Sequence, residues 1–368
     1  MHKITFFPIG NADTCLIELE NNRKIIFDYA NTHDPSDGSD RRIDLEEEIR
    51  KSVGQSGAID VLAISHMDKD HYQGASELFW LEHAEKYQGD DRIKIHTLWV
   101  PVAAIIEEGT KEEGRTLRQE ARHRLQHGKG IQVFGRAAVL DEWLKDRGIR
   151  PADRAHLITD AGKLAPGFSL ASDGIEFFVH SPFAYREENG SLVDRNSNAL
   201  FMQATLSVGG QNTRLILSAD CPWEPLQAII RSTKKHGNED RLIWDINNIP
   251  HHCSYLSLSD EKGQSKTIPK DELAWLYEEQ GEHGAYIVST SKPIPSNDDD
   301  NTPPHRQAAA YYKSVASEQD GTFVVTMEHP SSGNPKPLVF EVGANGPKLK
   351  KSISAPAIAA TSERPRAG

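Results

Sequence analysis

Short runs of apolar residues separated by turn residues dominate the start of the chain. Lys3–Ile9, Thr14–Glu20 and Lys24–Tyr29 have the patterning of strands, with Gly10-Asn11-Ala12-Asp13 and Asn21-Asn22 as the turns between them. Arg41–Val53 has the spacing of an amphipathic helix, and Asp60-Val61-Leu62-Ala63-Ile64-Ser65 reads as a buried strand. From about Leu81 to Phe168 the pattern changes. Ile93–Val100 is strand-like, but charged stretches with helical spacing at Glu107–Gln126 and Ala137–Lys145 predict a helical insertion. Strand patterns return at Ile175–His180, Ala199–Val208, Arg214–Ser218 and Leu242–Asn248, each ending beside a polar residue. This order predicts an α/β domain over residues 1–342, with the insertion at about 81–168. The last segment, Gly343–Gly368, is rich in Ala, Pro, Ser, Lys and Arg without apolar periodicity, and predicts a disordered basic tail.

Composition narrows the class. At 368 residues the chain can bury a substantial core. No apolar run approaches the roughly 18 residues of a membrane span, and the N-terminus enters strand patterning at once without a secretory signal, so a soluble cytoplasmic protein without membrane association is expected. Three scattered cysteines, Cys15, Cys221 and Cys253, cannot form a disulfide framework, in keeping with a reducing compartment. A formal net charge of -12 argues against a broad phosphate-binding surface, which would need Lys and Arg in excess. A local basic groove stays open.

The chemistry concentrates just after the strand at Asp60–Ser65. His66-Met67-Asp68-Lys69-Asp70-His71 places four metal-ligand side chains within six residues. A loop leaving a strand end lets alternate side chains fan out, so His66 and Asp68 can approach one ion while Asp70 and His71 face a second. Other ligand types follow later strands: His180 closes Gly174–Val179, Asp220 follows Leu215–Ala219, and His251-His252 follow Asn248-Ile249-Pro250. Ligand-type residues beyond four successive strands point to one site built on a shared rim. Cys221 and Cys253 stand beside candidate ligands, but buried free cysteine commonly acts as a small hydrophobe, and both are left out of the set.

These residues resemble the metallo-β-lactamase fold hydrolases, and within them the soluble hydrolase domain of ComEC-type DNA-uptake proteins. Phe7–Ile17 is similar to that subgroup's opening strand-turn-strand, and Ile26-Phe27-Asp28-Tyr29 to a strand ending in an Asp behind the metals. The usual HxHxDH motif has Asp68 in place of its second His, as in the ComEC-like branch. Asn196-Ser197-Asn198-Ala199-Leu200, Ser218-Ala219-Asp220 and Pro250-His251-His252-Cys253-Ser254 resemble later motifs of that branch in the same order, with Cys253 where Gly is usual. The resemblance implies a four-layer αββα sandwich holding two divalent metal ions, Zn or Mn. His66, Asp68 and His180 would hold one ion, Asp70, His71 and His251 (favoured over His252) the other, and Asp220 would bridge.

Two cations about 3.5–4 Å apart would lower the pKa of a shared water and stabilise charge on the attacked centre. Asp70 is the expected orienter of that metal-bound hydroxide, and His252 or His305 the expected proton donor to a leaving oxygen. The expected function is a phosphodiesterase or nuclease with a phosphodiester or nucleic-acid substrate. Hydrolysis of an ester, thioester or lactam is the competing enzymatic reading. A metal-stabilised scaffold, recruiting a protein partner through the insertion or the tail, is the reading from another class.

Overall fold

A computed structural model of the chain describes residues 1–108, 110–182 and 198–351. The chain first lays down β1 (His2–Phe6), β2 (Cys15–Glu18), β3 (Lys24–Phe27), β4 (Ala58–Ala63), β5 (Lys94–Pro101), β6 (Ile131–Phe134) and β7 (Ile158–Thr159). It then builds β8 (Lys163–Leu164), β9 (Ile175–Ser181), β10 (Phe201–Val208), β11 (Gln211–Leu217), β12 (Trp244–Asn248), β13 (Gly281–Ser289) and β14 (Thr322–Val325), before a closing hairpin of β15 (Leu338–Gly343) and β16 (Gly346–Leu349).

Two mixed sheets result. The first has nine strands in the order β16-β15-β1-β2-β3-β4-β5-β6-β7, and the second seven in the order β14-β13-β12-β11-β10-β9-β8. Pairing from β3 to β7 is parallel, as is pairing from β11 to β14. The remaining pairs are antiparallel.

Strand parity explains the layering. Alternate residues such as Phe6, Ile17, Phe27, Val61 and Trp99 from the first sheet meet Phe177, Val179, Met202, Leu215, Leu217 and Ile246 from the second in one buried cluster. The opposite faces of the sheets are covered by helices. Leu45, Ile49 and Val53 of helix Leu45–Val53 and Leu117, Ala121 and Leu125 of helix Glu112–His127 cover the first sheet. Leu226, Ile229 and Ile230 of helix Trp223–Lys235, with Tyr311, Tyr312 and Val315 of helix Arg306–Glu318, cover the second.

The segment 81–168 is not a helical insertion standing apart. It contributes β5, β6 and β7 to the first sheet, and its helices pack on that sheet's outer face. Its charged surface pattern reflects one solvated face per helix. Inside it, Glu120 is fully buried and accepts hydrogen bonds from the backbone N–H groups of Glu82 and His83, from His83 Nδ1 and from Arg124 Nε. Arg124 in turn donates to the carbonyls of Ile95 and Gly130, which ties the helix to the first sheet at β5 and the start of β6. Burial works against charge on Glu120, but these partners outweigh it and hold its pKa at about 2.

At the other end, residues 346–349, expected to be part of a disordered tail, pair with β15. The rest of that tail from residue 352, and Asn196-Ser197 of the later motif, lie outside the described residues. No helix among the described residues is long and apolar enough to cross a membrane.

Candidate metal centre

Register brings the site together. Phe27 pairs with Ala63, so Asp28 and Ser65-His66 leave the first sheet side by side. In the second sheet Leu217 pairs with Asn248 and Asn248 with Val288, so Asp220, His251-His252 and Thr290 leave at one level. The loop before β2 closes the gap, because the backbone N–H of Asp13 bonds to the carbonyl of Asp70 at 3.2 Å. Between the sheets, the N–H of Leu200 donates to the carbonyl of Ser65 at 2.8 Å.

Asp13, His71, Asp220 and His252, all buried, bring ligand atoms within 4.8 Å of one another, a grouping that could hold a metal ion. Asp220 is central: its Oδ1 lies 3.4 Å from His71 Nε2 and its Oδ2 3.7 Å from His252 Nε2. Asp70 Oδ2 lies 3.1 Å from His252 Nε2, and Asp68 Oδ2 lies 3.6 Å from His66 Nε2. The His66 and His71 rings are 3.9 Å apart at their centroids. Asp68 and Asp70 are each more than a third exposed, at 36% and 37%, and so form the open mouth of an otherwise buried cluster.

The hydrogen-bond partners of these side chains leave lone pairs that suit a cation. The Nδ1–H of His71 donates to Asp28 Oδ2 at 2.8 Å, and the Nδ1–H of His252 donates to the carbonyl of Thr290 at 2.9 Å. Each ring therefore turns Nε2 towards carboxylates. Asp13 Oδ1 and Oδ2, His66 Nε2, His71 Nε2, Asp220 Oδ1 and His251 Nδ1 are all buried without a hydrogen-bond partner. Buried polar atoms are rarely left so, and those of Asp13, His71 and Asp220, grouped with His252, fit a divalent cation held by imidazole nitrogen and carboxylate oxygen.

The electrostatics agree. Burial works against charge on His252, but Asp220, with Asp70 and Asp13, outweighs it and pushes its pKa up to about 9. His71 is raised well above the ordinary imidazole value against the same burial, by Asp28 and Asp220. Asp70 falls to about 2 despite its desolvation, through the His252 hydrogen bond and nearby His71. Asp13 goes the other way, because burial outweighs the attraction of His252 and His71. Without a cation, positive charge on the imidazoles offsets the carboxylates.

Backbone strain gathers at the same place. Asp28, Ala219, His251, His252 and Cys253 all have positive φ, at 59°, 49°, 52°, 52° and 66°. Side chains disfavour this region, so such residues persist only where surrounding bonds fix them. Here His251 N–H bonds to Ala219 O, Ser254 N–H to His251 O and His305 N–H to Cys253 O. The left-handed turn at Cys253 accounts for a position where glycine would be at ease.

Several expected site residues stand elsewhere. His180 is not in the cluster: Phe177 and Val179 point into the inter-sheet core, so period-2 alternation sends Phe178 and His180 to the other face. There His180 contacts Phe178 and Phe201, and its ring nitrogens bond to Thr233 Oγ1 and the carbonyl of Arg241. His252 rather than His251 joins the four-residue group, because the left-handed turn rotates His252 inward. That position, with its Nδ1–H committed to Thr290, also removes His252 from the expected role of proton donor. His305 accepts from the Tyr255 N–H on Nδ1 and faces the Asn301 carbonyl through Nε2 at 3.3 Å, so both nitrogens serve the backbone. Asp13 belongs to the group unanticipated, since its sequence context reads as a plain turn. Compared with known proteins, the chain matches no family model and no curated sequence.

Proposed function

We propose that this chain is a metal-dependent hydrolase of phosphodiesters that uses two divalent cations, Zn or Mn, in a metallo-β-lactamase-like arrangement of its two sheets. The observation that carries this reading is the buried grouping of Asp13, His71, Asp220 and His252, drawn from both sheets with ligand atoms within 4.8 Å of one another. Asp13, His71, Asp220 and His252 would hold one ion, and His66 with Asp68 would begin the second site, with Asp220 between them. Four carboxylates, Asp13, Asp68, Asp70 and Asp220, balance the charge of two divalent cations, and their oxygen donors suit the harder metals as well as Zn. When bound, such cations supply Lewis acidity towards a phosphoryl oxygen and lower the pKa of a nearby water.

The chain's own groups do the rest. Asp28 and Thr290 fix the Nδ1–H forms of His71 and His252, leaving Nε2 of each as a lone-pair donor. Asp70, at the open mouth, would accept a hydrogen bond from the attacking water and so aim it. His251 keeps an unpartnered Nδ1 beside the cluster and, because burial lowers its pKa, would act there as a neutral imidazole that donates a hydrogen bond to the leaving oxygen.

The test is metal content measured together with cleavage of a bis-aryl phosphodiester and of single-stranded DNA by Zn-loaded and Mn-loaded protein. Two bound ions with cleavage that Asp70→Asn lowers by about 100-fold or more would support the reading, a size typical of losing a positioned acid–base group. Equal rates for wild type and Asp70→Asn, or a protein that takes up no metal, would sink it.

A further inference from the structure

Ser65 sits between β4 and His66, is fully buried, and has a single hydroxyl proton to give. Its backbone N–H donates to Asp28 Oδ1 and its Oγ–H to Asp28 Oδ2, both at 2.6 Å. With that proton spent on a carboxylate, Ser65 Oγ can only accept from its other neighbours. His66 Nδ1 lies 3.1 Å away and His71 Nδ1 3.2 Å away. His66 therefore carries its proton on Nδ1, and its Nε2, which has no partner, faces Asp68 as a lone-pair donor.

We propose that Ser65 is a positioning residue that hands the orienting charge of Asp28 on to His66, so that one buried carboxylate sets the tautomer of both motif histidines. His71 reaches Asp28 directly, at 2.8 Å, whereas His66 reaches it only through the Ser65 hydroxyl. The inference rests on the metal-site reading above and deepens it, because it divides the ligand set into a half that depends on Ser65 and a half that does not. Without the hydroxyl, the buried Nδ1–H of His66 loses its acceptor. The ring then gains by moving its proton to Nε2, towards the Asp68 carboxylate, and ceases to offer a lone pair there. Asp28 keeps its bonds to His71 and to the Ser65 backbone, so the His71 half stays formed.

The experiment compares wild type with Ser65→Ala and Ser65→Thr. Nitrogen-proton NMR of the imidazoles in the metal-free protein reads the tautomer of His66, with the Nδ1–H of His71 as the internal sign that the site is folded. Zn titration against a competing chelator then reads the two affinities. The Ala variant is expected to lose the His66 Nδ1–H signal, keep that of His71 and weaken one of two Zn equivalents by about 10- to 100-fold, with Thr restoring both. An unchanged His66 signal in Ser65→Ala, or equal weakening of both Zn sites, would overturn the relay. These readouts do not depend on turnover. A protein that shows them without cleaving phosphodiesters would lose the hydrolase reading and keep the role of Ser65.

Discussion

Asp28 Oδ2 accepts the Nδ1–H of His71 at 2.8 Å, with both side chains shut away from solvent and Asp28 itself in a left-handed conformation. The carboxylate holds the ring so that its other nitrogen meets Asp220. Asp28→Asn keeps the shape but turns an amide donor towards groups that themselves donate, either His71 or Ser65. The expected result is a 10- to 100-fold loss of Zn or Mn affinity, roughly the usual effect of removing an outer-shell partner, measured by calorimetric titration. Unchanged affinity would mean that His71 is no ligand.

Asp13 offers a test in which stability and metal uptake move in opposite directions. Its two oxygens are buried without hydrogen-bond partners, and burial raises its pKa, which means that folding disfavours the carboxylate in the metal-free protein. Asp13→Ala should therefore stabilise the metal-free protein by about 1–3 kcal/mol while weakening its hold on divalent cations. Paired melting curves with and without Zn check this. A variant that loses stability in both conditions would assign Asp13 to the fold alone.

His180 should be indifferent to metal. Its ring lies on the helix side of β9 and its two nitrogens are satisfied by Thr233 and Arg241. His180→Ala should cost about 2–4 kcal/mol, as for a buried ring that leaves a cavity and a lost hydrogen bond, with the bound metal equivalents unchanged. Loss of one equivalent in a folded variant would bring His180 back to the site.

His252→Gln and His251→Gln should separate two roles that share one turn. The first removes a nitrogen from the buried four-residue group and should lower metal affinity by at least about tenfold, the scale of even an outer-shell loss. The second should leave metal content alone and lower kcat. Metal analysis and steady-state kinetics on both variants decide the assignment.

Glu120 gives the fold an acid-sensitive joint outside the Asp13, His71, Asp220 and His252 cluster. Its folded pKa of about 2 lies below the ordinary value of 4.5, so the stability it contributes is complete above that ordinary value and drains away as pH falls through about 2. Glu120→Gln removes the charge behind this contribution and leaves Arg124 with the Ile95 and Gly130 carbonyls and the Glu82 carboxylate at 3.7 Å, at a cost of about 1–3 kcal/mol near neutral pH. Chemical denaturation of the variant and wild type from neutral to acid pH should show the gap between them closing as the solution is acidified. A gap that stays constant would mean that the carboxylate's charge is not what matters.

Much of the architecture was legible because strands buried on one face announce themselves. β1 to β5 and β9 to β12 lie within a few residues of their apolar runs. β13 begins Gly-Glu-His-Gly and hides its apolar half behind polar residues, and β6 is only four residues long between charged helices. The motif His66–His71 and the positions of Asp220 and the histidine pair follow from strand ends. What sequence could not carry was parity and handedness. Only the alternation within β9 puts His180 outside, and only the left-handed run at His251–Cys253 exchanges one histidine for its neighbour. Asp13 escaped notice because its partner, the Asp70 backbone, is distant in sequence.

The two halves of the candidate ligand set are far apart along the chain, with Asp13 and His71 on the first sheet's side and Asp220 and His252 about 150 residues or more further on. The first sheet has the same dependence on late residues, since β1 lies between β2 and β15. During synthesis, then, the ligand set is incomplete until His252 has left the ribosome, and the first sheet is incomplete until β15 and β16 have followed it. An ion that met the emerging chain before His252 would find only part of this coordination sphere, so complete coordination would wait for both segments.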